Sequence, residues 1–315
     1  MLNVLRMHRA AAAEIDEVFR SGWVPVCRVD QIPNTGDRCA TSIASHPIVA
    51  VRDGDEVRVL SNVCRHRWST VAEPGCSHGR NLVCPYHRWS YGLDGRLQAA
   101  PLAGAFRLDD VALPVVRHEV WLGFVMANLD GTADPLGPQL AGLAEALAPW
   151  RVDELVTVAS RTYPSTWNWK VMVENWIECY HHIGSHRATV EPRTPARTTR
   201  VPATDGPCPS TTLRPAQRAV APPEQWSVPM GEEDAGQLTI WAAFPLLLGG
   251  TEAGSSFWLE VTPHTVDRHH VTWHLLTHPE RAAEWADGTA EAVMAGLDEV
   301  HREDMDQCAK VDEGL

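Results

Sequence analysis

The sequence predicts an α+β protein with two domains, the first built mainly from β-strands and the second from a sheet and helices. From Trp23 to about Leu129, short apolar runs alternate with Gly, Pro, Asn and Asp, a pattern typical of antiparallel strands. The dipeptides Asp53-Gly54 and Asp94-Gly95 are favoured in hairpin turns. Three longer strand-like runs follow between 238 and 277, and a helical pattern extends from Pro279 to Val311.

Composition and charge exclude several classes of function. With 315 residues, 44% hydrophobic and 21% charged, the chain has the length and composition of a two-domain globular protein. The formal charge of −13 would repel phosphates, so we expect no nucleic-acid partner. It contains no run of roughly eighteen apolar residues, so no membrane span is expected. The first ten residues lack the apolar core of a signal peptide, and the cysteines lack the density of a secreted scaffold, so a reducing, cytoplasmic location is predicted.

We divide the chain into three segments. Residues 1–22 contain a short amphipathic helix at 12–20. Residues 23–130 form the β domain. Residues 131–315 begin with a linker and a short Leu/Ala-rich helix, continue with a strand at 155–163, and form the second domain.

Two Cys–His pairs in the first domain have the spacing of a metal cluster site: Cys64-Arg-His66 and Cys84-Pro-Tyr-His87. A cysteine and a histidine two or three residues apart can both reach a metal from one tight loop, and two such loops can clamp one cluster. The pattern matches the Rieske arrangement, in which two thiolates hold one iron and two imidazoles hold the other. A structural Cys2His2 zinc site is the alternative, although zinc fingers do not interleave the two residue types in this way. Cys76, between the loops, is expected to be an ordinary buried thiol.

These motifs closely resemble the aromatic ring-hydroxylating family of Rieske non-haem iron oxygenases, α (terminal oxygenase) subunit. The resemblance rests on Cys64-Arg-His66-Arg67 and on the run from Cys84 to Leu97. It continues in Asn168-Trp-Lys-Val-Met-Val-Glu-Asn-Trp. Trp68 and Arg88 depart from the family, which often has glycine there. The resemblance implies an all-β Rieske 2Fe-2S domain followed by a helix-grip (START/SRPBCC-like) catalytic domain with a curved antiparallel sheet and a long C-terminal helix.

A second metal site is predicted around His181 and His186. On an unbroken helix the i, i+5 spacing would point them apart, so Gly184 is expected to break the helix and let His186 turn back. The resemblance adds Asp304 in the last helix as the third ligand, whereas Asp306 should point elsewhere. Two neutral imidazoles and one carboxylate form a facial triad that leaves positions open on ferrous iron.

Glu178 stands three residues before His181, on the same face of a continuous helix. The resemblance implies a catalytic role in which this carboxylate bridges the cluster ligand His87 to the iron ligand His181, across a subunit boundary in a ring-shaped trimer. Such a carboxylate fixes the tautomer and orientation of the imidazole. The alternative is a glutamate on a helix face that points to water.

The resemblance implies a terminal oxygenase that uses O2 and electrons to hydroxylate, or oxidatively demethylate, a small organic substrate. The chain has no Gly-x-Gly-x-x-Gly fingerprint, so a separate NAD(P)H-dependent reductase must supply the electrons, with or without a ferredoxin in between. A homotrimer is expected by resemblance alone. The alternatives are a cis-dihydroxylating aromatic dioxygenase and a Rieske electron-transfer protein without a catalytic iron.

The sequence describes the substrate pocket less fully. The Glu-Cys-Tyr-His motif that begins at Glu178 resembles the corresponding motif of family members that oxidise N-methylated quaternary amines. Four tryptophans of the second domain could form a cation-binding cage or pack in the core. Residues 191–236 either cover the substrate entrance or are disordered. Five histidines lie near strand ends, and a hydrogen-bonded structural role is expected for each, with a pocket-facing His274 as the alternative that strand alternation allows. The tryptophans are Trp226, Trp241, Trp258 and Trp273, and the histidines are His264, His269, His270, His274 and His278.

Overall fold

The computed structural model describes residues 14–104, 108–201, 210–213, 223–226 and 228–314. The chain divides into two compact units, the first ending at Asp134 and the second beginning at Pro135. From the sequence we place this boundary at residue 130. Of the predicted N-terminal helix, residues 12 and 13 lie outside the described residues, and Ile15–Arg20 forms a π-helix.

The first unit consists of three antiparallel sheets, as the alternating apolar pattern predicts. Their strand orders are β1-β10-β9, β4-β3-β2-β5 and β6-β7-β8. Gly54 (φ 62°) and Gly95 (φ 83°) adopt the left-handed backbone of the predicted hairpin turns, which join β3 to β4 and β7 to β8. The strands are β1 (Val24–Arg28), β2 (Asp37–Ile43), β3 (His46–Asp53), β4 (Glu56–Ser61), β5 (Gly75–His78), β6 (Leu82–Val83), β7 (Ser90–Tyr91), β8 (Leu97–Ala99), β9 (Arg117–Trp121) and β10 (Phe124–Asn128).

A disulfide between Cys39 and Cys76 links β2 to β5. The two residues face each other in the strand register, although 37 positions separate them in the chain. The expectation that Cys76 is an ordinary buried thiol is therefore wrong, because strand pairing and not sequence spacing brings the two sulfurs together. Disulfides are rare in reducing compartments, so the cysteine content no longer supports the predicted compartment. The free cysteines of the described residues are Cys27, Cys64, Cys84, Cys179 and Cys308, and Cys208 lies outside them.

The second unit contains one antiparallel sheet with the strand order β11-β16-β15-β14-β13-β12. The run predicted as a single strand from Leu238 to Leu248 forms two strands instead, because the chain turns at Pro245, which has no backbone N–H to donate to a ladder. A short strand also lies inside the segment 191–236. The strands are β11 (Val156–Ser165), β12 (Ser210–Leu213), β13 (Leu238–Ala243), β14 (Leu247–Thr251), β15 (Ser256–Thr265) and β16 (Arg268–Thr277).

Two predicted helices differ in length from the sequence-based expectation. The helix expected to reach Gly184 ends at Trp176, and a separate 3-10 turn follows. The last helix is interrupted at Gly288, whose φ of 104° is incompatible with a right-handed helix. The α-helices are α1 (Leu136–Gln139), α2 (Ala141–Leu147), α3 (Trp169–Trp176), α4 (Glu232–Ala235), α5 (Pro279–Ala282) and α6 (Thr289–Glu313). The 3-10 turns are Val29–Gln31, Ala148–Trp150, Val152–Glu154, Tyr180–Ile183, Ala196–Thr198, Pro223–Gln225 and Glu284–Asp287.

Within the ranges that the structure describes, no helix combines the length and the apolarity needed to cross a membrane. The mixed architecture, with antiparallel sheets in both units and a long terminal helix in the second, confirms the α+β fold class.

Asn168 fixes the start of α3, the helix that leads to the predicted iron ligands. Its side-chain oxygen accepts a hydrogen bond from the backbone N–H of Lys170 (3.0 Å), as an N-cap residue does. Its side-chain amide donates to the backbone carbonyl of Val266 (2.6 Å), at the turn between β15 and β16. Trp167 and Val171 pack with Cys308 of α6 in a buried cluster. The helix is therefore anchored both to the sheet and to α6.

We expect Asn168→Ala to lower the free energy of unfolding by about 1–2 kcal/mol, because the variant loses the N-cap and the bond to Val266. Denaturant unfolding followed by tryptophan fluorescence measures this change. Asn168→Ser is the matched control, because its hydroxyl can still cap the helix and should restore part of the loss. An unchanged free energy of unfolding in Asn168→Ala would contradict the assignment.

Candidate metal centres and substrate cavity

Two loops of the first unit carry the residues predicted to bind a cluster, and their backbones have the same geometry. In the first loop the backbone N–H of Trp68 donates to the carbonyl of Cys64 (3.0 Å). In the second the N–H of Arg88 donates to the carbonyl of Cys84 (3.0 Å). Each cysteine thus begins a tight turn that contains its histidine.

The side chains of the two loops form a donor set of two thiols and two imidazoles. Cys64 and Cys84 are buried and free. The ring centroids of His66 and His87 lie 4.5 Å apart, and His66 stacks on Trp89 at 4.8 Å. Nδ1 of His87 is buried and has no hydrogen-bond partner among the described residues. A buried ring nitrogen without a partner, beside two free thiols, fits a Rieske cluster.

Trp68 and Arg88, the two departures from the family's glycines, both have left-handed backbones, with φ of 60° and 62°. This conformation costs a non-glycine residue about 1–2 kcal/mol, which explains why glycine is common there. The Trp68 side chain is 79% exposed and Arg88 is also exposed, so neither cost is offset by packing within the described chain. The two residues place an aromatic ring and a cation beside the cluster loops.

Tyr91 contacts the cluster site, although we did not select it from the sequence. Its hydroxyl lies 3.2 Å from the sulfur of Cys64 and accepts a hydrogen bond from the backbone N–H of Arg65 (3.0 Å). Burial first, and then Cys64, raise the pKa of the Tyr91 hydroxyl, so it remains protonated. The hydroxyl can therefore donate to the sulfur, and hydrogen bonds to cluster sulfurs are one means of tuning the reduction potential.

In the second unit, two imidazoles and one carboxylate meet at a common point. Nε2 of His186 lies 2.9 Å from Oδ1 of Asp304, and Nε2 of His181 lies 3.5 Å from the same oxygen. The structure thus brings together the three residues that we selected from the sequence, from the turn after α3 and from α6. Two ring nitrogens and a carboxylate oxygen are the donors of a 2-His-1-carboxylate iron site.

Each of these histidines is held by a carboxylate on its other nitrogen. Nδ1 of His181 lies 2.8 Å from Oε1 of Glu178, and Nδ1 of His186 lies 2.7 Å from Oε2 of Glu303. Thr189 also donates to Glu303 (2.6 Å). When Nδ1 donates to a carboxylate, Nε2 presents its lone pair. Glu303 was missed from the sequence, because it lies 117 positions from His186 and no local spacing links the two.

Glu178 contacts His181 as predicted, but from a different local structure. Since α3 has already ended, Glu178 precedes the 3-10 turn Tyr180–Ile183. Its Oε2 accepts hydrogen bonds from the backbone N–H groups of Tyr180 (2.6 Å) and His181 (3.3 Å). The carboxylate therefore orders the turn as well as the ring, and its side chain remains 41% exposed.

Asp304 is held in its ionised form. Burial alone would raise the pKa of the Asp304 carboxyl, but the neighbouring His186 and Asn175 outweigh burial and lower the pKa below its usual value. The Asn175 side-chain amide donates to Oδ1 of Asp304 at 2.9 Å. Asp304 thus contributes a carboxylate, the charged donor that a site for a divalent cation requires. Asp306, two residues further on, is exposed.

A cavity of about 190 Å³ lies beside these donors. Asp304 and both histidines form part of its wall, together with Glu178. Arg193 and Thr194, at the start of the segment 191–236, also line it. The remaining wall is largely apolar and includes Trp176, Leu238, Ile240, Phe257, Trp273, Leu297 and Val300.

Three aromatic rings of the wall pack against one another. Trp273 lies 5.6 Å from Trp176 and 5.3 Å from Phe257, measured between ring centroids. Gly250 on β14 makes room for this group, because a Cβ there would lie 2.3 Å from Cζ of Phe257 and 3.1 Å from Cδ1 of Ile240. The size of the cavity thus depends on a residue that does not line it.

The tryptophans considered for a cation cage do not assemble around the cavity. Trp241 and Trp258 are 2% and 0% exposed and belong to the core, and of the four only Trp273 lines the cavity in the described part of the chain. His274 likewise has a structural role, since its ring contacts the Ser160 hydroxyl (2.8 Å) and stacks on Trp258.

Comparison with known proteins decides the family. Residues 22–116 match the model of the Rieske [2Fe-2S] domain. Residues 152–315, just over half of the chain, match the model of the ring hydroxylating alpha subunit (catalytic domain). The chain belongs to this ring-hydroxylating α-subunit family. A 2Fe-2S cluster and a mononuclear iron are therefore its cofactors, and both donor sets described above fit them.

The α-subunit family includes relatives with assigned substrates. The chain is 35% identical over 181 residues to the glycine betaine monooxygenase oxygenase subunit of Chromohalobacter salexigens, covering 56% of this chain and 41% of that protein. It is 35% identical over 180 residues to the carnitine monooxygenase oxygenase subunit of Escherichia coli K12, covering 55% and 48%. The matches thus span less than half the length of these curated relatives.

Solved structures of the family share the fold. A quaternary ammonium Rieske monooxygenase superimposes with a TM-score of 0.81 at 20% identity, covering 96% of this chain and 81% of that one. Naphthalene 1,2-dioxygenase from a Rhodococcus species also gives a TM-score of 0.81 at 20% identity, covering 95% and 79%. At this identity the likeness concerns the fold alone, which is common to monooxygenases and dioxygenases.

Removing Glu303 should weaken iron binding without altering any of the three predicted ligands. We expect Glu303→Ala to lower the affinity for Fe(II) about 10–100-fold, because the His186 ring loses the acceptor that orients it. Equilibrium dialysis against Fe(II) measures the effect. Glu299→Ala removes the same charge from an exposed position of α6 and serves as the control. Equal affinities in the two variants would contradict the role of Glu303.

Proposed function

We propose that this protein is the terminal oxygenase component of a Rieske oxygenase system, which hydroxylates or oxidatively demethylates a small organic substrate. The observation that carries the proposal is the meeting of His181, His186 and Asp304 at the wall of a largely apolar cavity. A structural metal would have no need of a cavity at its open side, whereas an oxygenase must bind its substrate there.

In this proposal Cys64, His66, Cys84 and His87 hold the 2Fe-2S cluster, and the triad holds the iron. The cluster supplies single electrons and the iron supplies the position at which O2 reacts. The chain itself binds and orients: the apolar wall excludes water, and the two carboxylates keep both Nε2 atoms directed at the metal. The electrons come from a separate NAD(P)H-dependent reductase.

We further propose that Glu178 links the two centres across a subunit boundary in a homotrimer. One edge of its carboxylate binds His181, while the side chain remains partly exposed and can reach a second partner. Nδ1 of His87 is buried, as a nitrogen that faces a metal would be. Nε2 is therefore the nitrogen through which His87 of the partner subunit would contact Glu178. The resulting imidazole–carboxylate–imidazole chain would connect cluster and iron through hydrogen bonds.

Small N-methylated quaternary amines are the first substrates to test, because two relatives are named for glycine betaine and carnitine. A dioxygenase reaction is the second candidate, favoured by a match of 30% identity to the large oxygenase component of a 2,4-dinitrotoluene dioxygenase system.

Metal analysis and labelled dioxygen test the function together. We expect about three iron atoms and about two sulfides per chain, the sum of one cluster and one mononuclear iron. With a surrogate reductase and labelled O2, a monooxygenase places one labelled oxygen atom in the product and a dihydroxylating enzyme places two. An intact cluster without mononuclear iron would instead identify an electron carrier.

The proposed bridge predicts a specific defect in Glu178→Ala. After reconstitution with excess iron the variant should retain both metals, but product formation from a pre-reduced cluster should fall at least about tenfold, since the polar link is lost. Rapid-mixing single-turnover measurements check this. Glu174→Ala, with the same charge change outside the cavity wall, is the control. Near-normal product formation in Glu178→Ala would refute the bridge.

A further inference from the structure

A second cavity, of about 820 Å³, borders the cavity that contains the predicted iron ligands. The ligands His181, His186 and Asp304 line the first cavity only. Five other residues line both cavities and therefore form the border between them. The border is a different part of the wall from the metal site. Its residues are Thr189, Arg193, Glu252, Leu297 and Val300.

Two residues of this border are charged, and their charges are opposite: Arg193 and Glu252. In the part of the first cavity's wall that the structure describes, Arg193 is the one side chain with a permanent positive charge. The other carboxylates of that wall, Glu178 and Asp304, already contact the predicted iron ligands. The border therefore supplies the charges of the cavity that the metal site does not use.

The two border charges are not paired with each other. Among the residues that the structure describes, the Arg193 guanidinium has neither an ion pair nor a hydrogen bond, and it is exposed. Glu252 accepts a hydrogen bond from the Ser255 hydroxyl (3.0 Å), which leaves its charge in place. An arginine guanidinium presents several N–H donors in one plane, an arrangement that matches the two oxygens of a carboxylate. Arg193 is thus available to an anionic group in the cavity.

The backbone of Arg193 is held by the turns that follow His186. The N–H of Val190 donates to the carbonyl of His186 (3.1 Å), and the N–H of Arg193 donates to the carbonyl of Val190 (3.0 Å). Thr189, within the same turns, donates to Glu303, the carboxylate that contacts His186. The position of Arg193 is therefore tied to the predicted iron site, although its side chain reaches the border.

We propose that Arg193 is a substrate-binding residue, whose guanidinium binds a carboxylate of the substrate at the border of the two cavities. The inference rests on the proposed function and narrows its substrate class to small carboxylates whose reacting carbon lies in the first cavity. The ion pair holds one end of the molecule, so that the other end faces the metal donors. Glu252 has the opposite effect, because its charge repels a carboxylate.

Matched pairs of small probes test this inference without turnover. Benzoate and benzamide have nearly the same shape, as do glycine betaine and its carboxamide, but only the first of each pair has a carboxylate. Titration calorimetry on the iron-loaded holoenzyme, with no reductase present, gives the affinities. We expect the carboxylate of at least one pair to bind about fivefold more tightly than its carboxamide, the contribution of one partly exposed ion pair. High salt should reduce this preference, because it screens exposed charges.

Single-charge variants assign the preference to the border. Arg193→Gln should abolish it, and Arg193→Lys should restore part of it, because the charge returns without the planar donor group. Glu252→Gln should act in the opposite direction and strengthen carboxylate binding about twofold, since it removes a repulsion. Arg197→Gln, at an exposed position that lines neither cavity, is the matched control and should behave as the parent protein.

Three outcomes would overturn the inference. The first is equal affinity within both pairs, or no measurable binding of either carboxylate, in the parent protein. The second is a carboxylate preference that survives in Arg193→Gln, which would place the carboxylate on the iron instead. The third is the same loss of preference in Glu252→Gln as in Arg193→Gln, which would indicate a structural effect and not a charge effect. The labelled-oxygen experiment can fail while the carboxylate preference is found, and the reverse also holds, so the two proposals fail separately.

Discussion

Two hydrogen bonds between carboxylates and imidazoles determine the geometry of the candidate iron site. Glu178 accepts a hydrogen bond from Nδ1 of His181 and Glu303 accepts one from Nδ1 of His186, which directs both Nε2 atoms towards Asp304. The first bond is local, within one turn of chain. The second is not, because Glu303 belongs to α6. The site is therefore complete only when α6 is packed against α3, through the buried cluster that includes Val171 and Cys308.

This arrangement makes the centre a product of tertiary packing. The Asn168 cap sets the start of α3, and α3 ends early enough for a separate turn to carry His181 and His182. Asp304 is buried on the inner side of α6, where the neighbouring His186 and Asn175 lower its pKa. The neighbouring side chains thus outweigh the effect of burial and keep a negative charge where a divalent cation needs it.

The sequence was most informative where function depends on local spacing. The four cluster residues, the paired histidines and the contact between Glu178 and His181 all follow from short separations. Glu303 and Tyr91 could not be found in this way, because each reaches its partner through strand pairing or helix packing. The disulfide between Cys39 and Cys76 was not predicted for the same reason, because the register of paired strands cannot be derived from composition. The end of α3 was also missed, because an apolar periodicity continues past Trp176 after the helix has stopped.

Gly250 influences which substrates the cavity can accept, because it lies against two residues of the cavity wall. Because Gly250 has no side chain, the side chains of Phe257 and Ile240 can pack against its backbone on β14. The space left for a bound molecule thus depends on the absence of a side chain at a position that does not itself line the cavity. An alanine at position 250 would force Phe257 and Ile240, both in the cavity wall, to move, so the size of the accepted substrate can change through a substitution at none of the predicted metal ligands.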